Sequence, residues 1–279
     1  MISEFRASLV VSESFLLMFR HFLTIFSIAF ICCLPMTLLL FSDMDRRGEA
    51  FANRTVDEIR RDREERESRA ALAGLSIYVT YPLATGAIAL AVYRSLRGER
   101  VSFFESFGAA VKRIFALFGV FICSILAVGA SLFPAGFFAS ALAGQGSSWM
   151  GLVVALLLAC LGVVVMMMVS VASPVCVVER KGVFASLRRS QELTAGYRWR
   201  LFLALFGVAI TGYLLLIIVA AALGMIEFLH QYRWTALTLG AAAITFLVAW
   251  TATATALAYY QLRSVKESVD IVDVAAVFD

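Results

Sequence analysis

The residues able to do acid–base, nucleophilic or metal chemistry are few and scattered. His21 and His230 are the only histidines. Both border apolar stretches and are far apart in sequence, so each reads as an interfacial residue rather than a ligand or general base. The cysteines Cys32, Cys33, Cys123, Cys160 and Cys176 lie in apolar stretches, with no C-x-x-C spacing and no nearby His. They read as small buried hydrophobes rather than disulfides or metal ligands. No zinc-protease, nucleophile-elbow, phosphate-loop or dinucleotide-binding motif occurs. Gly144-Gln145-Gly146 reads as a turn, and Glu227 can pair with Arg233 across a short loop. The sequence therefore predicts no catalytic residue, no cofactor and no metal site, and so not an enzyme.

Neutral polar residues inside apolar stretches are the remaining candidates. Thr80, Tyr81, Thr251, Thr253 and Thr255 could line a small path. Hydrogen bonding between helices is the expected role of such threonines. Ion-coupled carriers bury carboxylates or basic groups within their spans, and these stretches hold none. Pro35, Pro82, Pro134 and Pro174 lie within or near span ends and are expected to bend or end helices. Met166-Met167-Met168 reads as packing.

The elements that position these groups are six uncharged apolar stretches: 22–41, 70–92, 114–137, 149–178, 201–226 and 234–262. A hydrocarbon core about 30 Å thick needs about 20 helical residues. In lipid the backbone must satisfy its own hydrogen bonds, so runs this long must be helices. Hydrophobic residues make up 61% of the 279, and mean hydropathy is +0.87. The prediction is an all-α polytopic membrane protein forming one integral membrane domain, residues 1–279. The first span is too long for a signal peptide and has no small-x-small cleavage site after it.

Fifteen of the 24 Lys and Arg fall in the N-terminus, 93–113, 179–200 and the C-terminus. The other side holds nine, eight of them interleaved with acids in 42–69. The positive-inside rule then puts both termini and both basic linkers in the cytoplasm of a bacterium, with the protein in its inner membrane. The net charge of +4 is an orientation signal and does not point to nucleic acid.

Two junctions share a pattern. Lys112-Arg113 leads into Ile114-Phe115-Ala116-Leu117-Phe118-Gly119-Val120, and Arg200 leads into Leu201-Phe202-Leu203-Ala204-Leu205-Phe206-Gly207-Val208. Arg20-His21-Phe22 is a third such junction. The expectation is a threefold repeat of interfacial helix, span out and span back, against chance matching in low-complexity apolar sequence. In the linkers, Phe104, Phe107, Val111 and Ile114 form one stripe; Phe184, Leu187, Gln191 and Thr194 share a face. Such amphipathic helices lie in the headgroup plane. Lys112, Arg113, Arg188, Arg189, Arg198, Trp199 and Arg200 are the candidate lipid-interface residues. Their role is either anchoring alone or recognition of membrane lipid.

Segment 43–69 is charged and free of proline. Asp57–Arg61, Asp62–Arg66 and Glu65–Arg69 stand at helical spacing. From Glu49 to Val92 an unbroken helix would run about 65 Å. Two readings stand: a solvated or partly disordered loop, or a helical arm on which a partner protein or a second copy docks. Arg54, Asp57, Arg61, Asp62, Glu65 and Arg66 are its candidate contacts.

A resemblance follows from the C-terminal third. Pro174-Val175, Val178-Glu179-Arg180-Lys181-Gly182-Val183 and Ser186-Leu187-Arg188-Arg189-Ser190-Gln191-Glu192 lead towards Ala258-Tyr259-Tyr260-Gln261-Leu262-Arg263 with Lys266-Glu267. This pattern resembles bacterial integral membrane proteins related to the glycerophosphoryl diester phosphodiesterase membrane domain. The resemblance implies a multi-span inner-membrane protein with amphipathic helices between spans. It carries over no hydrolase activity, because the catalytic barrel is absent. Two functions are expected: a non-enzymatic organising or accessory protein for lipid or a membrane complex, or a transporter or lipid-handling permease. A cavity lined by Thr80, Thr251 or Thr255 favours the second, and a closed bundle the first.

Overall fold

The computed structural model describes residues 5, 7–45, 56–143, 148–227 and 233–278. Among these every regular element is helical: α1 Ala7–Arg20, α2 Phe22–Asp45, α3 Val56–Leu96, α4 Phe103–Val111, α5 Ile114–Ala143, α6 Ser148–Val169, α7 Ala172–Val178, α8 Val183–Thr194, α9 Arg198–Glu227 and α10 Arg233–Phe278. Six stretches are long and apolar enough to cross a membrane: Phe22–Leu39, Gly74–Leu96, Ile114–Phe138, Gly151–Val178, Arg198–Val219 and Thr238–Glu267. The chain is an all-α membrane protein.

One element differs from the sequence reading. The span expected over 149–178 is two helices, α6 and α7, parted by a turn at Ser170 and Val171. Pro174 lacks the N–H that would bond the Ser170 carbonyl four residues back, which weakens the helix at that point. Helix α2 continues to Asp45 and so takes in the first charges, Asp43 and Asp45. From Val56 the charged residues and the second span form one helix, α3, of 41 residues. The start of the arm, with Arg54, lies outside the described residues. So does most of the loop between Glu227 and Arg233.

The order short helix, long helix, long helix occurs three times, with α6 and α7 together as one long element. The contacts have the same form. Helices α3, α7 and α10 touch one another at the centre. Around them, α3 packs on α4 and α5, α6–α7 on α8 and α9, and α10 on α1 and α2. The outer long helices α2, α5 and α9 touch α4, α8 and α1 in turn, so the set closes on itself.

Small residues let the central helices approach. Ala84, Ala87, Ala91, Ala254 and Ala258 are fully buried. A Cβ at Gly86 would stand 2.6 Å from Leu117 Cδ1, so the absence of a side chain there lets Leu117 of α5 pack closely on α3. Between helices in lipid there is no aqueous hydrophobic drive, so close van der Waals packing of small residues holds them together.

The same physics decides which faces of the linker helices turn inward. In α4 the buried residues are Ser106 and Ala110, while Phe104 of the apolar stripe is 84% exposed. In α8 they are Ser186, Ser190, Leu193 and Thr194, while Phe184 is exposed. In a protein bathed in lipid, large apolar side chains gain nothing by turning inward, and small hydroxyl residues pack better.

Candidate functional site

A cavity of about 640 Å³ opens among α3, α5, α6–α7, α9 and α10. This lies within the range of about 300–1,000 Å³ usual for small-molecule sites. Along α5 its wall runs from Phe121 to Leu132, about 16 Å at helical rise, or roughly half the thickness of a bilayer's hydrocarbon core. Ile125, Leu132, Met166 and Phe206 line it and remain exposed. Helices α6 and α9, which flank this side, touch less than most neighbouring long helices do. The cavity therefore opens sideways, past apolar residues.

Its wall mixes hydroxyls with larger apolar groups. Thr85, Ser124, Ser170, Ser173 and Thr255 stand among Phe121, Phe202, Leu205 and Phe206 in the half nearer the basic linkers, with Tyr81 and Thr251 somewhat deeper. Val128, Gly129 and Leu132 continue the wall along α5 away from those linkers. No charged residue contributes to the wall. The break between α6 and α7 falls on this wall, through Val169, Ser170, Ser173 and Pro174. Irregular backbone at membrane depth is tolerated where it is buried in protein or lines a cavity.

Five of the seven wall hydroxyls have committed their protons to backbone carbonyls. Thr85 donates to the Pro82 carbonyl at 3.0 Å, Ser124 to Val120 at 2.7 Å and Ser170 to Met167 at 2.9 Å. Thr251 donates to Leu247 and Thr255 to Thr251, each at 2.8 Å. A carbonyl can only accept, so these directions are fixed. This corrects the expectation of threonine hydrogen bonds between helices: Thr80, Thr251, Thr253 and Thr255 each donate to a carbonyl of their own helix. Thr80 lines a separate void of about 80 Å³ beside Cys32 and Cys33, and Tyr81 borders both spaces.

A polar network closes the bundle on the side of the basic linkers. The Glu179 carboxylate accepts from Lys181 Nζ at 2.7 Å, the Tyr259 hydroxyl at 3.1 Å and Arg189 Nε at 3.5 Å. Arg189 Nη2 reaches Glu267 at 3.1 Å, and Arg263 Nε reaches the same carboxylate oxygen at 2.8 Å. Arg263 also donates to Tyr259 at 3.3 Å and Tyr93 at 3.5 Å. Burial alone would raise the Glu179 pKa. The Lys181 and Tyr259 hydrogen bonds and the Arg189 charge outweigh it and hold the carboxyl below its usual range. Beside this network His21 Nε2 and Ser95 Oγ are 2.7 Å apart, which ties the α1–α2 turn to the end of α3.

The predicted lipid-interface residues divide. Arg113 Nη1 donates to the Cys176 and Lys181 carbonyls at 3.0 and 3.2 Å. Arg189 sits in the network. Both charges are turned to protein. Lys112 is exposed, and Arg188 is exposed with Glu192 at 3.2 Å. Trp199 is exposed and stacks on Phe202 at 5.3 Å, and Arg200 is exposed beside it. Arg198 is half-buried, and its Nε has no hydrogen-bond partner. In the arm, Asp57, Arg61, Asp62, Glu65 and Arg66 all lie on α3. The arm pair Arg63–Glu67, 3.6 Å apart, is exposed on both sides.

Sequence reading missed Ser190, which is fully buried and donates at 2.7 Å to the Met168 carbonyl near the end of α6. It also missed the gathering of Glu179, Arg189, Tyr259 and Glu267. The only signal for either was that buried charge and hydroxyls require partners. Among the described residues no three His, Cys, Asp or Glu side chains gather to hold a metal ion. Fold and cavity define a polytopic α-helical membrane protein with a lateral, hydroxyl-dotted chamber. No protein-family model matches the chain, and no curated protein or solved structure matches it.

Proposed function

We propose that this protein binds a lipid-soluble molecule within the bilayer and handles it as a lipid carrier or permease, without ion coupling and without catalysis. The observation that carries this is the cavity: it opens sideways, is apolar with uncharged hydroxyls set among the apolar groups, and spans about one leaflet. A closed bundle would favour a purely organising role instead. Among the described residues the wall offers no carboxylate or basic group to couple to an ion. The proposal includes a bacterial inner-membrane location with both termini cytoplasmic, which puts Ser170, Ser173 and Thr255 towards the inner leaflet. It also includes kinship with the phosphodiesterase-related membrane family; the residues behind that resemblance include Glu179, Arg189, Tyr259, Arg263 and Glu267, which meet in the network. An α3 arm that docks a protein partner or a second copy is the remaining part.

Gly129 supplies the test. It lines the cavity, and a Cβ placed on it meets nothing within 4 Å. Gly129→Phe should fill the cavity from the wall. Native mass spectrometry of gently solubilised protein should show a retained lipid-sized mass in the wild type that is lost in Gly129→Phe, while Gly129→Ala keeps it. Equal retention in all three would contradict a ligand in this cavity.

A further inference from the structure

We infer that the ligand is a neutral lipid whose headgroup is an alcohol, of the diacylglycerol type, held by its hydroxyl protons rather than by its charge. This rests on the cavity reading above and names the ligand class for that site.

The inference comes from counting protons on the wall. Each hydroxyl has one donor and two acceptor lone pairs. Thr85, Ser124, Ser170, Thr251 and Thr255 spend their donors on backbone carbonyls. What faces the cavity is therefore mostly acceptor lone pairs. Pro174 adds to these, because without an N–H it leaves the Ser170 carbonyl short of its usual helical donor. Both residues lie on the wall.

Such a wall suits some headgroups and rejects others. A phosphate or carboxylate needs donors or cations, and the wall has no charged side chain and few free protons. An ammonium group would find acceptors but no counter-charge, and an unpaired buried charge is strongly disfavoured. An alcohol has protons to give and no charge to neutralise. Most of the hydroxyls sit in the half nearer the basic linkers, where a headgroup of that leaflet lies, and Val128, Gly129 and Leu132 continue the wall inward as apolar surface for acyl chains.

The test uses two photoactivatable lipids with identical diazirine-bearing chains, one diacylglycerol and one phosphatidic acid. Each is added to the full chain in phosphatidylcholine nanodiscs, and labelled peptides are mapped by mass spectrometry. Diacylglycerol should label α5, α6 and α9 around Val128 and Met166, and phosphatidic acid should label them about tenfold less or lower. Labelling there should vanish in Gly129→Phe. Thr255→Val, which removes one acceptor at nearly constant volume, should narrow the preference a few-fold even if the larger substitution disturbs folding. Equal labelling of the cavity by both lipids would overturn the alcohol assignment and leave the cavity reading standing. Absence of cavity labelling by either lipid, or labelling unchanged in Gly129→Phe, would overturn both.

Discussion

Replacing Glu179 should separate the part of the network that is buried from the part that can return to water. The Glu179 side chain is 11% exposed, and its three donors differ in what they lose. Lys181, at 39% exposure, can regain water, and Arg189 keeps Glu267 at 3.1 Å. Tyr259 is fully buried, and Arg263 can donate to its oxygen but cannot accept its proton. Glu179→Ala therefore strands a buried hydroxyl donor, which costs about 1–3 kcal/mol. With the lost ion pairing the total should be about 2–3 kcal/mol. Glu179→Gln keeps an acceptor for Tyr259 and should cost about 1 kcal/mol. Tyr259→Phe should cost about 1 kcal/mol in the wild type and near zero in the Glu179→Ala background. Denaturant unfolding in detergent micelles, run on all four members of the cycle, measures these differences. Equal costs for Ala and Gln at position 179, or a Tyr259→Phe cost unchanged between backgrounds, would refute the assigned hydrogen bond.

Other outcomes follow from the same geometry. Because the folded Glu179 pKa lies below its usual 4.5, its contribution is complete above that pH and is lost as pH falls through the depressed value. Wild-type and Glu179→Gln stabilities should therefore converge in acid, below about pH 4.5. Arg180 holds φ of 54° in the turn between α7 and α8, so Arg180→Gly should raise stability by about 1 kcal/mol in a thermal unfolding assay. Ser190→Ala should leave the Met168 carbonyl without its hydroxyl donor and cost about 1 kcal/mol, with faster amide exchange at the α6–α7 break. Reporter fusions after Asp279 and within 56–65 should give opposite signals; equal signals would contradict the proposed topology.

Most of the fold was legible because bilayer thickness makes length and apolarity decisive. Five of the six spans have the expected course, and α3 carries its charged segment as one helix. The break in the fourth span was not legible as a break, since Pro174 sits in sequence that is apolar on both sides. Ser190, 22 residues after Met168, returns to cap that residue's carbonyl beside the break. On the linkers, periodicity finds the large apolar stripe, of which Phe104 and Phe184 are exposed. The packed face with Ser106, Ala110, Ser186 and Ser190 was not legible, because small residues carry little periodic signal. The cavity residues Thr251, Thr255 and Tyr81 were visible as candidates. The proton directions of Thr251 and Thr255 were not, because those depend on which carbonyl each hydroxyl meets. Arg113 and Arg189 carried the same sequence signal as Arg188, and only tertiary contacts separate a charge held by protein from one facing the membrane.

The measurement closest to the central claim is a density map of the protein in a lipid nanodisc, with an antibody fragment bound to add mass. Chain-like density should pass between α6 and α9, run beside Gly129 and end near Ser173 and Thr255. A chamber closed by contact between α6 and α9, with no density inside, would contradict the account.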